Sequence, residues 1–295
     1  MKRREFIKTS VLTATSVSLS GIYGFSAPGG SLVSKVTGDS PYEIAKKGVE
    51  LLGGMKKFVG KQDVVMIKPN IGWNRQVEHA ANTNPEVLKA VIEMVFDAGA
   101  KKVIVMDNTC HKSEDTYRRS GIKEMVEKSG AEIRFSDENR LVVHPFNGEK
   151  LKKWPVFRDH LEVDKFINVP ILKHHSSAGL TIGMKNLYGI IGGRRGKLHR
   201  DMGENIADLA YGFKTHLTIV DAYRILKRNG PVGGRLSDVE LKKTVICSEN
   251  IFEADVVAVD VFGKSVDEVD FIAAGFRRGM GQKDIRKINI RTFKL

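Results

Sequence analysis

A stretch of 36 residues, from Lys165 to Arg200, contains seven lysines and arginines, three histidines and six glycines, but no aspartate or glutamate. We call it the basic segment. Protein surfaces normally mix both signs of charge, so this segment is a local positive field. Glycine lets backbone N–H groups turn towards an anion, and lysine or arginine side chains neutralise the anion. The basic segment therefore predicts a site for a small anion, a phosphate or a carboxylate. The alternative is a solvated loop without a ligand.

Five side chains of the basic segment are candidates for binding the anion. Four of them supply positive charge and one supplies an amide that would orient the ligand: Lys173, Lys185, Arg194, Arg195 and Asn186. Adjacent His174 and His175 point to opposite faces of an extended chain, so only one of them can face a given site easily. We expect His175 or His199 to move a proton.

Four further candidates follow apolar stretches that predict strands. Ligands of open α/β sheets bind at the carboxyl ends of strands, which is where these residues are expected: Lys68, Asn70, Asp107 and Asp221. If the strands before Asp107 and Asp221 are neighbours, the two carboxylates and an imidazole could converge on a divalent metal. Alternatively, one of the carboxylates could hold the histidine that moves a proton. The alternative for each aspartate is a cap on a helix or a loop.

Strands and helices alternate along the chain, which predicts an α/β fold with a mostly parallel sheet and flanking helices. A small antiparallel or irregular excursion is expected near residues 140–160, around Trp154. The predicted strands are 63–67, 102–106, 131–135, 165–169, 216–220, 244–246 and 285–290. The predicted helices are 42–59, a helix that starts at 83–86 and ends at Gly99, 122–129, 204–211, 252–262 and 266–278.

The first ten residues match a twin-arginine export signal, with Arg3 and Arg4 followed by Phe6, Ile7 and Lys8. We divide the chain into a signal peptide, residues 1–26, an N-terminal segment and helix, residues 27–62, and a single α/β domain, residues 63–295. The predicted partner is the twin-arginine translocase and the predicted location is the periplasm or another extracytoplasmic space. An ordinary secretory signal with two arginines is the alternative.

Composition narrows the remaining function classes. The chain is 41% hydrophobic and 28% charged, as in an ordinary soluble globular protein, and its net charge of +13 favours anionic partners. Cys110 and Cys247 are its two cysteines, whereas iron–sulfur clusters use about four thiolates, so a self-contained cluster is not expected. No phosphate-binding P-loop and no dinucleotide-binding glycine motif is present. A divalent metal, the cofactor, the reaction type and a Cys110–Cys247 disulfide stay open.

Several separate motifs between Asp63 and Gly263 resemble the bacterial and archaeal family called domain of unknown function 362. The motifs are Lys68-Pro69-Asn70, Thr83-Asn84-Pro85, Asp107, Val169-Pro170-x-x-Lys173-x-His175, Lys185-Asn186-x-x-Gly189, His199, Asp221 and Ala254-Asp255-x-x-Ala258-x-Asp260. They coincide with most of the candidates chosen above. Some members of that family resemble ferredoxins in their cysteine motifs, which this chain lacks.

The leading hypothesis is an exported enzyme that acts on a small anionic substrate. The alternative is a non-enzymatic binding or accessory protein for an extracytoplasmic redox or other complex, in which the basic segment docks an acidic protein partner. Nucleic acid is not expected as a partner, because the basic segment offers only Phe166 and Tyr188 for stacking on bases.

Overall fold

A computed structural model describes residues 31–295. The twin-arginine pattern and the predicted signal peptide, residues 1–26, lie outside the described residues. Within residues 31–295, no helix is both long and apolar enough to cross a membrane.

Twelve strands occur in the described part of the chain. They are β1 (Val33–Thr37), β2 (Val64–Pro69), β3 (Lys102–Val105), β4 (Glu132–Ile133), β5 (Leu141–Pro145), β6 (Lys153–Phe157), β7 (Lys165–Val169), β8 (Ile171–His175), β9 (Gly179–Thr181), β10 (Leu217–Leu226), β11 (Val239–Ser248) and β12 (Ile290–Lys294). The α-helices of the same part are α1 (Pro41–Glu50), α2 (Pro85–Asp97), α3 (Ser113–Arg119), α4 (Ile122–Lys128), α5 (Gly183–Asn186), α6 (Met202–Gly212), α7 (Ile251–Phe262) and α8 (Asp270–Arg277).

Ten of these strands form one sheet with the order β12-β1-β11-β10-β7-β2-β3-β4, and β8 and β9 extend it from β10. The pairs from β10 to β4 are all parallel, whereas β11 is antiparallel to both β10 and β1. Strands β5 and β6 form a separate antiparallel pair. The structure thus confirms the predicted α/β fold, the mostly parallel sheet and the antiparallel excursion near residues 140–160.

Both faces of the sheet are covered, as apolar runs in parallel strands require. In β2, Val65 and Ile67 face the cluster formed with α1, α2 and α4, and Met66 faces the cluster formed with α6, α7 and α8. Side chains alternate between faces with a period of two, so one short strand joins both clusters. The sheet is therefore packed on both faces where the candidate residues emerge.

Local signals explain where most predicted elements begin and end. The Asn84 side chain accepts a hydrogen bond from Glu86 N at the start of α2, and Pro85 occupies its first turn.

Two predictions were wrong. The helix predicted to run to Val59 ends at Glu50, because Gly53 and Gly54 adopt positive φ angles of 108° and 85°.

The strand predicted at 285–290 was also misplaced. Ile285–Lys287 is a single 3-10 turn, because the Asp284 side chain accepts a hydrogen bond from Arg286 N and starts a turn there. Strand β12 begins only at Ile290. It pairs in parallel with β1, which belongs to the segment 27–62.

Candidate anion-binding site

A cavity of about 450 Å³ opens at the carboxyl ends of β2 and β3 and is closed on the other side by α5 and the basic segment. Its size suits a small ligand. Lysines, an arginine, two histidines and amides are prominent in its lining, which includes Lys68, Asn70, Asp107, Lys173, His175, Lys185, Asn186, Arg195 and His199. The structure therefore brings together nine of the eleven predicted site residues.

Lys68 and Asp107 form a buried ion pair at the bottom of the cavity. Lys68 Nζ lies 2.7 Å from Asp107 Oδ1 and also donates to Pro69 O and Asn186 Oδ1. Asp107 Oδ2 accepts a hydrogen bond from Ile71 N. Burial lowers the pKa of Lys68, and the Asp107 carboxylate opposes that shift. Both side chains are thus engaged within the protein, and Lys68 contributes little free positive charge.

Gly189 lies directly against this ion pair. A Cβ atom at position 189 would lie 1.8 Å from Asp107 Oδ1 and 2.5 Å from Lys68 Nζ, well inside any allowed contact. Gly189 also accepts a hydrogen bond from Asn108 N through its carbonyl group. The site therefore requires glycine here, which gives a steric reason for Gly189 in the motif Lys185-Asn186-x-x-Gly189.

A chain of amide side chains holds the cavity floor in place. Asn186 Oδ1 accepts from Asn70 Nδ2 at 3.0 Å, and Asn186 Nδ2 donates to Asn168 Oδ1 at 2.9 Å. Asn168 Nδ2 in turn donates to Gly183 O. Because every amide has defined partners, their orientation is fixed before a ligand arrives. Asn168 was missed from the sequence because it lies inside the apolar strand β7.

Lys173 is buried and held by two acceptors. Its Nζ donates to Asn70 Oδ1 at 2.9 Å and to the backbone carbonyl of Ala81. Burial lowers the pKa of Lys173 to about 7, with smaller contributions from neighbouring Lys185 and Lys68. Lys173 therefore positions the loop that follows β2 and adds positive charge that depends on pH near neutrality.

Lys185 differs from the other cations of the cavity. Its side chain is 9% exposed, and its Nζ lies 3.8 Å from the centre of the Tyr188 ring. Within residues 31–295, this nitrogen makes no hydrogen bond and no ion pair. Burial, with smaller contributions from the charges of Arg195 and Lys68, lowers the pKa of Lys185 to about 8. An anion in the cavity would supply the missing partner.

Helix α5 carries Lys185 and is anchored at its start by Asp255. The Asp255 carboxylate accepts hydrogen bonds from Gly183 N at 2.7 Å and Met184 N at 2.8 Å. Burial raises the pKa of Asp255 to about 8. The aspartate is thus a positioning residue that fixes the helix from the far side, outside the cavity lining.

Arg195 lines the cavity, whereas the predicted Arg194 is exposed and lies outside the lining. The Arg195 guanidinium donates to the backbone carbonyls of Asn108, Tyr188 and Thr109 at 3.1 to 3.3 Å. It has no carboxylate partner among the described residues, so its positive charge is not neutralised.

His175 and His199 occur in opposite tautomers. His175 Nδ1 accepts hydrogen bonds from Ser177 N and Ala178 N, so Nε2 carries the proton. Burial, with smaller contributions from the charges of Lys185 and Lys173, lowers the pKa of His175 to about 3, which keeps the ring neutral. His199 Nδ1 faces the carbonyl of Gly196 at 3.2 Å and must donate, which leaves Nε2 as an acceptor. The cavity thus contains one imidazole donor and one imidazole acceptor.

Asp221, also predicted as a site residue, does not line the cavity. Its two oxygens accept hydrogen bonds from Asn84 N at 2.8 Å and from Tyr223 N at 3.0 Å. Strands β7 and β2 separate β10 from β3, so Asp221 and Asp107 do not converge. Asp221 thus holds the start of α2 through the Asn84 backbone, and burial raises its pKa to about 6.

The two cysteines are apart and free. Cys110 is exposed and lines the cavity, and Cys247 is buried in β11, where burial raises the pKa of its thiol to about 12. No cluster of three or more histidine, cysteine, aspartate or glutamate side chains suited to a metal occurs in residues 31–295. Cys110 and Tyr188 were missed as site residues, since no motif distinguishes them in the sequence.

This chain resembles known proteins both in sequence and in structure. A thylakoid-associated protein of Synechocystis sp. is 27% identical over 242 residues, which cover 79% of this chain and 73% of that protein. The lactate racemase apoprotein of Thermoanaerobacterium thermosaccharolyticum aligns with a TM-score of 0.45 at 14% identity, over 65% of this chain and 50% of that one. A Thermotoga maritima protein aligns with a TM-score of 0.40 at 12% identity, over 81% of this chain and 60% of that one.

The chain thus spans half the length of the first of these solved structures and three fifths of the length of the second. Residues 65–260 match the family described as domain of unknown function (DUF362), and these residues include all the lining side chains named above. The chain therefore belongs to the DUF362 family.

Proposed function

We propose that this protein is an enzyme that binds a small anionic substrate, a phosphate or a carboxylate, in the cavity between β2, β3 and the basic segment. The balance of charge in the lining supports this proposal most directly. Four lysine or arginine side chains line the cavity, and Asp107 is the one carboxylate among its lining residues. That carboxylate is paired with Lys68, so the remaining positive charge has no counterpart within the lining.

The three remaining cations take different roles. Lys185 and Arg195 contact the anion, because neither has a carboxylate partner among residues 31–295. Lys173, held by Asn70 and Ala81, adds positive charge from behind the first two. Charge-assisted hydrogen bonds from such groups are short and strong, which favours a tightly oriented anion.

The two histidines take different roles. His199 accepts a proton at Nε2, and neutral His175 donates a hydrogen bond from Nε2 to an oxygen of the substrate. Asp107 does not orient either ring, since its oxygens contact Lys68 and Ile71 N. Because both oxygens of Asp107 are engaged in this way, the lining offers no free carboxylate to a divalent metal. We therefore assign no step to a metal.

The location and a second candidate function rest on other residues. Export by the twin-arginine translocase to the periplasm rests on Arg3 and Arg4, outside the described residues. An accessory role, in which an acidic protein docks on the basic segment, is favoured by its exposed cations Arg194, Lys197 and Arg200. None of these three has an ion-pair partner in residues 31–295.

Calorimetric titration with inorganic phosphate and oxalate tests the enzyme proposal. Lys185→Ala should weaken binding by tenfold or more, since a hydrogen bond to a charged group contributes about 1.5–3 kcal/mol. The matched control is Lys197→Ala, which removes an exposed lysine of the same segment outside the cavity lining. His175→Ala should retain most binding of oxalate, because the uncharged imidazole adds a single hydrogen bond.

Two results would count against the proposal. If neither anion nor any phosphorylated or carboxylated metabolite binds the folded wild-type protein, the anion site is refuted. The accessory function replaces the enzyme under a different result. An acidic partner protein then binds with an affinity that falls steeply with salt, Lys197→Ala weakens that binding, and Lys185→Ala has no effect on any ligand.

A further inference from the structure

The terminal nitrogen of Lys185 is chemically exceptional among the lysines of the cavity. Lys68 Nζ contacts Asp107, and Lys173 Nζ donates to two oxygens. Each of these nitrogens is thus held by oxygen partners. Lys185 Nζ has neither a carboxylate nor a carbonyl partner in residues 31–295. An amine that donates no hydrogen bond can release its proton without breaking one.

The surroundings of Lys185 decide between its charged and neutral forms. The Tyr188 ring face favours the ammonium, because it lies 3.8 Å from Nζ. Burial disfavours the ammonium most strongly, and the positive charges of Arg195 and Lys68 add to the effect, so the pKa falls to about 8. The neutral amine is therefore accessible near neutral pH, which is the condition for a nucleophilic lysine.

We propose that Lys185 forms an imine with a carbonyl-bearing anion, of which a 2-oxo acid is the simplest class. This inference rests on the proposed function, because it assigns the substrate class of the same cavity. Arg195 binds the carboxylate, and the free Nζ of Lys185 faces the adjacent carbonyl carbon. In this reaction Lys185 acts as a nucleophile and not as a fixed positive charge.

The step balances without an added reagent. The lone pair of neutral Lys185 Nζ attacks the carbonyl carbon, and a carbon–nitrogen bond forms. The carbon–oxygen double bond is then lost, and the oxygen leaves as water with the two protons of the amine. His199 Nε2 can accept the amine protons in turn and return them to the leaving oxygen, while neutral His175 donates a hydrogen bond to that oxygen from Nε2–H, since both rings line the cavity.

Reductive trapping tests the imine. The folded full-length protein is treated with pyruvate and sodium cyanoborohydride, and peptide mass mapping locates the resulting secondary amine. A pKa of about 8 leaves roughly 100-fold more neutral amine at pH 8 than an ordinary lysine with a pKa of about 10.4. We therefore expect Lys185 to be labelled at least tenfold faster than exposed Lys197, and Lys185→Arg, which keeps the charge, to lose that label.

Acetone and oxalate separate this inference from the proposed function. Acetone offers a carbonyl without an anionic group, and oxalate offers carboxylates without a ketone. If oxalate binds but neither pyruvate nor acetone labels Lys185, the imine is refuted and the anion site stands. If no anion binds and acetone alone labels Lys185, the anion site is refuted and the nucleophilic lysine stands. Equal labelling of Lys185 and Lys197 refutes a special reactivity of Lys185.

Discussion

The close approach of Gly189 to the Lys68–Asp107 pair allows a sharp test of the cavity floor. In Gly189→Ala the new methyl group would lie 1.8 Å from Asp107 Oδ1 and 2.5 Å from Lys68 Cε and Nζ. Ordinary contacts between carbon and oxygen are longer than 3 Å, so the two charged side chains must separate. Both side chains are almost fully buried, so they have little room to move apart.

The expected loss of stability follows from the cost of breaking a buried ion pair. Removing one partner from such a pair costs about 3–5 kcal/mol, and overpacking alone costs about 1–3 kcal/mol. The methyl group displaces the pair without deleting either charge. We therefore expect Gly189→Ala to lower the free energy of unfolding by about 3 kcal/mol, and to weaken oxalate binding because Asn186 loses its contact with Lys68.

Urea unfolding followed by tryptophan fluorescence measures the change. Gly196→Ala is the matched control, because a Cβ atom at position 196 has no neighbour within 4 Å and lies in the same basic segment. Alanine at such an open site should change stability by no more than about 1 kcal/mol. If Gly189→Ala unfolds within about 1 kcal/mol of Gly196→Ala, the ion pair does not have the packing described here.

Two further predictions concern pH and export. Oxalate affinity should fall as pH rises through 7 to 8, because Lys173 and Lys185, with pKa values of about 7 and about 8, lose their protons there. Calorimetry at about pH 6 and about pH 9 checks this, since carboxylates stay ionised at both; equal affinities contradict it. Replacing Arg3 and Arg4 with lysines should retain the full-length protein in the cytoplasmic fraction of a host with the twin-arginine translocase. Unchanged export indicates an ordinary secretory signal instead.

The sequence predicted elements well where local signals agree with the buried pattern. The Asn84 cap and Pro85 located the start of α2, and the apolar run of β7 gave both of its ends. Strands β10 and β11 are longer than predicted, because their outer halves contain charged residues among the apolar ones and pair with each other. Such pairing stabilises residues whose own composition does not favour a strand.

Side-chain partners at the site depend on strand order, which local patterns do not contain. Asp107 and Asp221 both follow apolar strands, yet β7 and β2 lie between those strands and only Asp107 lines the cavity. Lys68 and Lys185 are both lysines of the family motifs, but one is paired and the other has no ionic partner among the described residues. The tautomers of His175 and His199 depend on contacts with nearby backbone groups, which the residue types alone do not specify.

The position of β1 within the sheet has a consequence for the order of folding. Val33 pairs with Ser248 in β11 and with Ile290 in β12, so this early strand lies between two of the last strands to be synthesised. Bringing such distant segments together costs loop-closure entropy before any contact is gained, which slows folding. While the chain is being made, β1 exposes both of its hydrogen-bonding edges. A partly synthesised chain is therefore open to pairing with other strands until its own C-terminal region arrives.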